Sequence, residues 1–176
     1  MPDSAVILNA AAIQRVLTRI AHEIAEQNEA GREVVLVGIQ RGGVPLARRL
    51  GDLLSGIWGQ PVPTGSLDVS MHRDDLDRRA APNVQPTVIP FDVTGKTVVL
   101  VDDVLYSGRT IRAALDALND FGRPRRIRLA VLVDRGHRHS RRCGASRVTD
   151  EAGDRRGPRL GVGRGGKAQH EGQQGE

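Results

Sequence analysis

The densest run of chemistry-bearing side chains in the chain is Thr97-Val-Val-Leu-Val-Asp-Asp-Val-Leu-Tyr-Ser-Gly-Arg-Thr110. An apolar stretch ends in two carboxylates, Asp102 and Asp103, and then turns through Ser107 and Gly108 into a helical pattern. The first N–H groups of a helix lack internal partners and lie at the positive end of its dipole, so a turn of this kind cradles an anion. Ser107 and Thr110 add hydroxyl donors, and Gly108 lets the backbone come close to a ligand. A phosphate monoester suits that cradle. The two carboxylates would repel it, and are suited instead to accept hydrogen bonds from a vicinal diol. Phosphate at one end and diol at the other describes a ribose 5-phosphate. The bland alternative is a strand, a turn and a capped helix with a surface acid pair. No Gly-x-x-x-x-Gly-Lys-Ser/Thr stretch occurs, which counts against a P-loop nucleotidase. A second candidate is Gln40-Arg-Gly-Gly43, where Arg41 offers a fork of donors suited to phosphate and Gly42-Gly43 permits exposed N–H groups. Taken alone, Arg-Gly-Gly also fits a plain loop.

The elements that must position these residues follow from hydrophobic period. Ile13, Val16, Leu17, Ile20 and Ile24 line one face of a helix, with Asn9 as its cap. Val34 to Val37 is a continuous apolar run, as in a strand buried on both faces, and Val44 to Leu54 resumes helical spacing. Leu67, Val69 and Met71 alternate with polar neighbours, which predicts a strand there. His72 to Pro86, rich in charge, Ala and Pro, reads as a mobile loop. A strand over Thr97 to Asp102, a helix over Thr110 to Phe121 stopped by Gly122 and Pro124, and a strand over Ile127 to Val133 complete the pattern. Strands alternating with helices predict an α/β fold with a parallel sheet whose ligands sit at the carboxyl ends of the strands.

With 176 residues the chain has room for one domain. No apolar run is long enough to span a membrane, and Asp3 stands where a secretory signal would carry positive charge, so a cytoplasmic protein is expected. A single cysteine, Cys143, excludes an internal disulfide and a paired-cysteine metal site. The net charge of +5 suggests an anionic partner, but four aromatic residues are too few for a base-stacking platform. Residues 138 to 176 hold nine of the 26 basic side chains and five of the 21 acidic ones, together with nine Gly and seven hydrophobics. That composition buries too little apolar surface to offset the entropy of ordering. A folded body over residues 1–138 and a disordered Arg/Gly-rich tail without a strand over 139–176 are therefore expected.

Val101-Asp-Asp-Val-Leu-Tyr-Ser-Gly-Arg-Thr110 resembles the signature of type I phosphoribosyltransferases, and its Val-Leu-Tyr-Ser-Gly-Arg version is most similar to the PyrR family. Val37-Gly-Ile-Gln-Arg-Gly-Gly-Val-Pro-Leu-Ala47, Leu67-Asp-Val-Ser-Met-His-Arg-Asp-Asp-Leu76 and Leu132-Val-Asp-Arg-Gly-His-Arg138 carry the resemblance further, from about Ala10 to Arg138. It implies a type I phosphoribosyltransferase fold, a central, mainly parallel sheet flanked by helices with a mobile loop. It also implies regulation of the pyrimidine operon through its mRNA in response to uridine nucleotides (UMP, UTP), with uracil phosphoribosyltransferase activity on 5-phosphoribosyl 1-diphosphate. By the same resemblance Asp102, Asp103 and Arg73 are catalytic, Arg73 closing over the diphosphate, and Gln40, Arg41, Gly42 and Gly43 form the diphosphate loop. Val104, Leu105, Tyr106, Ser107, Gly108, Arg109 and Thr110 bind substrate, with Ser107 to Thr110 on the 5-phosphate.

Mg²⁺ is implied as cofactor, held mainly by the substrate diphosphate rather than by a dedicated protein site. RNA is implied on a basic concave surface of a homodimer or higher homo-oligomer, at Thr18, Arg19, His22, His137 and Arg138. Read from the residues alone, Arg15, Arg19 and His22 are equally an ordinary solvated helix face. The sequence departs from the family after Arg138. A PyrR protein continues through Glu-Leu-Pro into a further strand that recognises the uracil edge, whereas here an Arg- and Gly-rich run begins. A frameshift explains the abrupt change, and a basic RNA-binding tail is the alternative. The missing segment leaves open a purine-base transferase, or a nucleotide-sensing RNA-binding protein with little catalysis.

Overall fold

The computed structural model describes residues 8–28, 31–72, 84–135 and 148–150. Helix α1 (Ala10–Glu26) is capped as expected, the Asn9 side chain accepting from the Ala12 N–H at 2.8 Å. Its apolar stripe buries Leu17, Ile20 and Ile24, each worth about 1.5 to 3 kcal/mol against exposure. Strand β1 (Val34–Ile39) is buried along its whole length, and helix α2 (Gly43–Trp58) follows after a short loop. Strands β2 (Thr64–Leu67), β3 (Thr97–Leu105) and β4 (Arg126–Asp134) lie in parallel, with helix α3 (Arg109–Leu118) between the last two. A short strand β5 (Val148–Asp150) runs antiparallel to β4.

The sheet order is β2-β1-β3-β4-β5. One face packs Val35, Val37, Val98 and Leu100 against α3, through Ile111, Ala114 and Leu118. The other packs Leu36, Val99 and Val101 against α1 and α2, through Ile20, Ile24, Leu50 and Leu54. Helices cover both faces, which is why β1 and most of β3 read as unbroken apolar runs. From β1 the chain steps outward to β2 and then returns to place β3 on the other side of β1. Such a reversal opens a crevice between the carboxyl ends of β1 and β3, and the loops after those strands are Gln40–Gly43 and Tyr106–Gly108. Among the described residues, no helix is long and apolar enough to cross a membrane.

Three expectations need correction. The alternation through Met71 does not make a strand there: β2 ends at Leu67, and Ser70–His72 form a 3-10 turn. The Asp68 side chain accepts from the Ser70 N–H at 2.7 Å and so turns the backbone out of the sheet, leaving Met71 exposed. Helix α3 stops three residues before Phe121, where Asn119, Asp120 and Phe121 bond back by three residues instead of four. The expectation that no strand follows Arg138 fails at β5, which pairs Ala130, Leu129 and Arg128 with Val148, Thr149 and Asp150. An open edge on β4 offers a row of unpaired N–H and C=O groups, and three extended residues satisfy them without any apolar period. Within β4, Arg128 is buried and donates to the side chain of Gln27, the residue that caps α1.

Candidate functional site

Strand β3 is buried from Thr97 through Asp102 and emerges at Asp103. Asp102 is only 6% exposed, and its Oδ1 accepts from the Asp103 N–H at 2.9 Å. Burial pushes the Asp102 carboxyl from 3.8 up to about 7; the hydrogen bond from the Asp103 N–H opposes the rise and the neighbouring Asp103 carboxylate adds to it. Asp103 itself faces solvent. Asp102 therefore holds a proton for part of the time at neutral pH.

Beyond them the chain turns at Gly108, whose φ of +77° suits glycine, and enters α3 with no side chain capping the helix. The first donors of α3 are left facing outward, since the ladder begins with the Arg112 N–H on the Gly108 carbonyl at 2.9 Å. A cavity of about 130 Å³ sits there, lined by Asp102 and by the run from Val104 to Ile111. It gathers Val104, Leu105, Tyr106, Ser107, Gly108, Arg109 and Thr110. The Tyr106 ring lies 4.9 Å from the Arg135 guanidinium, and the Arg135 N–H donates to the Leu105 carbonyl at 2.9 Å.

The loop after β1 closes the other side. A β-carbon on Gly42 would overlap the Asp103 carboxylate, and one on Gly43 would overlap the Val101 carbonyl oxygen. The two glycines thus allow Gln40–Gly43 to lie directly on the end of β3, beside the acid pair. A cis peptide bond joins Gln40 to Arg41, and the Gln40 N–H donates to the Leu67 carbonyl at 2.9 Å. Arg41 is exposed. A third glycine, Gly38, admits the start of α2, since a β-carbon there would come within 2.6 Å of the Val44 Cα.

On α1, Arg19 and His22 are exposed and Thr18 is half-buried, its hydroxyl donating to the Gln14 carbonyl at 3.0 Å. These three do not line the cavity. Arg73, His137 and Arg138 lie outside the described residues. Two residues that sequence reasoning quoted without a role are Arg135, now beside Tyr106, and Asp68. The Asp68 carboxylate accepts from the Ser70 and Gln85 N–H groups, and its own N–H donates to Thr87 Oγ1 at 2.9 Å. Burial pushes this carboxyl upward, but the bonds from Ser70 and Gln85 and the charge of Arg41 outweigh it, holding it below its ordinary value.

Among the described residues no three His, Cys, Asp or Glu side chains converge as a metal cage. Two carboxylates at the end of β3 beside the open first turn of α3 fit Mg²⁺ of the kind that keeps most of its waters and is bound through one or two carboxylates and substrate phosphates.

A family model described as "Phosphoribosyl transferase domain" matches residues 4–152, a span that takes in β5. The "Bifunctional protein PyrR" of Roseiflexus sp. is 64% identical over 133 residues, covering 75% of this chain and 73% of that protein. The protein of the same name from Thermus aquaticus is 57% identical over 139 residues, covering 78% and 77%. Among solved structures, a hypoxanthine-guanine phosphoribosyltransferase from Bacillus anthracis superposes with a TM-score of 0.61 at 18% identity, covering 81% of each chain. At that identity the likeness is one of fold.

Proposed function

Since this chain belongs to the phosphoribosyltransferase family, and within it to the PyrR proteins, we propose that it transfers the phosphoribosyl group of 5-phosphoribosyl 1-diphosphate to uracil. We propose further that it regulates the pyrimidine operon by binding its mRNA in response to uridine nucleotides. The observation that carries the catalytic reading is the convergence, at the crevice between β1 and β3, of three parts: the open first turn of α3, the Asp102–Asp103 pair and the glycine loop of Arg41.

Each part has a task. The N–H groups at the start of α3, with Ser107 and Thr110, take the 5-phosphate. Asp102 and Asp103 accept hydrogen bonds from the ribose hydroxyls and stabilise the positive charge that develops on the sugar ring. Arg41 and the backbone of Gly42–Gly43 hold the diphosphate. The bond from the anomeric carbon to the diphosphate oxygen breaks, a bond to uracil N1 forms, and the N1 proton leaves to solvent or to the departing diphosphate. No protein nucleophile is needed. Asp102 and Asp103 are the residues that would support Mg²⁺, which would supply charge neutralisation for the leaving polyanion. Arg73 is assigned to the diphosphate on its place in the family motif.

The RNA reading is supported by the PyrR relatives and by the exposed Arg15, Arg19 and His22 on α1. A homo-oligomer that joins two such faces is part of the proposal, as are RNA contacts by His137 and Arg138 and a cytoplasmic location. The atypical residues after Arg138 would leave the base pocket incomplete and reduce catalysis while sparing the ribose phosphate site. Diphosphate release measured side by side with uracil, hypoxanthine and guanine tests the activity. Release with uracil alone is expected, and release with a purine but not uracil would refute the assignment of the base. An electrophoretic shift of a pyrimidine-leader RNA hairpin that responds to UMP tests the regulatory half.

A further inference from the structure

We propose that Asp68 is a positioning residue for the diphosphate, one that orients Arg41 by presenting a fixed carboxylate beside the loop Gln40–Gly43; this inference rests on the transferase reading above. Asp68 stands one residue beyond β2, and the Gln40 N–H donates to the carbonyl of its neighbour Leu67 at 2.9 Å. That bond continues the β1–β2 ladder, in which Ile39 is paired with Leu67, and so carries Asp68 to the same edge of the sheet as Gln40 and Arg41.

Three bonds hold Asp68 there. Oδ1 accepts from the Ser70 N–H at 2.7 Å, Oδ2 accepts from the Gln85 N–H, 17 residues on, and the Asp68 N–H donates to Thr87 Oγ1, 19 residues on. A mutual pair of bonds between Ser66 and Val88, both 2.8 Å, locks Gln85–Val88 alongside β2. A side chain used only to turn its own backbone would need the Ser70 bond alone. Here both carboxylate oxygens are anchored, one of them by a distant segment, at the sheet edge shared with Gln40, and the charge of the exposed Arg41 helps to hold the carboxyl below its ordinary value. A long, exposed guanidinium loses rotamer entropy when it grips a ligand, and an anchored counter-charge lowers that cost by restricting it beforehand.

Replacing Asp68 by Asn removes the charge and sets an amide donor against one of the two N–H groups. Calorimetry on the full chain with two probes, 5-phosphoribosyl 1-diphosphate with Mg²⁺ and UMP, is the test. In D68N the sugar diphosphate should bind roughly tenfold more weakly, about 1.4 kcal/mol, while UMP, which lacks the diphosphate, stays within about twofold. The double variant R41A/D68N should bind the sugar diphosphate no more weakly than R41A, a coupling that a merely structural role would not produce. Thr87→Ala, which keeps the charge but frees the Asp68 N–H, is the second variant. Should D68N fail to fold, T87A must still weaken the sugar diphosphate about two- to threefold and spare UMP. Unchanged or tighter sugar diphosphate binding in D68N, additive losses in the double variant, or an unaffected T87A beside an unfolded D68N would each overturn the inference. A wild-type chain that binds neither probe would overturn the transferase reading itself.

Discussion

Asp102→Asn tests whether the end of β3 holds a carboxyl out of water at a cost to the fold. The wild-type group rises from 3.8 to about 7 because it is desolvated, with the Asp103 charge adding to the rise. Between those two pH values the folded state keeps a proton that the unfolded chain has released, so stability falls as pH rises through this window and levels off above about pH 7. At about 1.4 kcal/mol per pH unit the full displacement corresponds to about 4 kcal/mol. The carboxyl borders an open cavity, where water screens it, so an effect of about 1 to 2 kcal/mol is expected. Asparagine cannot ionise, yet its carbonyl can still accept from the Asp103 N–H. The variant should therefore match the wild type near pH 4 and exceed it by that amount near pH 8, as measured by urea unfolding at each pH. The same substitution removes a charged acceptor for a ribose hydroxyl and should weaken 5-phosphoribosyl 1-diphosphate by about 1 to 3 kcal/mol in calorimetry. Parallel stability curves for the two proteins across this pH range, or a variant less stable near pH 8, would refute the desolvation reasoning.

Gly43→Ala places a methyl group against the Val101 carbonyl and should destabilise the fold by about 1 to 3 kcal/mol, read from the denaturation midpoint, with a matching loss of sugar diphosphate affinity. Arg19→Ala should reduce the salt slope of RNA binding by about one and leave sugar diphosphate affinity unchanged, since Arg19 does not line the cavity. Equal loss of both ligands would point to misfolding instead. Truncation after Arg138 removes β5 and its pairing with Arg128–Ala130. Each lost backbone bond is worth about 0.5 to 1.5 kcal/mol, so the melting temperature should fall by several degrees while sugar diphosphate affinity holds.

Much of the positioning framework was legible because one physical signal dominated each element. The Leu17, Ile20, Ile24 stripe and the Asn9 cap specify α1, and two-sided burial writes β1 and β3 as unbroken apolar runs. The open first turn of α3 was legible for a different reason: a glycine turn between a buried strand and an amphipathic helix leaves few alternatives for the first-turn N–H groups. Where a long-range polar contact decides, the periodicity misled. Val69 and Met71 keep the alternation of a strand, but the Asp68 side chain overrides it. Partners 17 and 19 residues away cannot be read from spacing, so the role of Asp68 was invisible. Arg128 lies among the apolar residues Ile127 to Val133 of β4 and is buried because the Gln27 side chain reaches it from across the sequence. β5 was missed because backbone pairing at an open edge makes little demand on side chains.

The uncapped start of α3 has a consequence for how this protein can be altered. The donors at Arg109, Thr110 and Ile111 belong to peptide groups, so replacing one side chain by another leaves them in place, and a conventional alanine scan of this turn would under-report it. Sequence drift at Arg109 is correspondingly cheap so long as the backbone path through Gly108 survives. Chemical synthesis that exchanges a single amide for an ester at one of these positions would expose the contribution directly. Conversely, an inhibitor anchored on that turn by an anion would leave substitution few side chains through which to produce resistance.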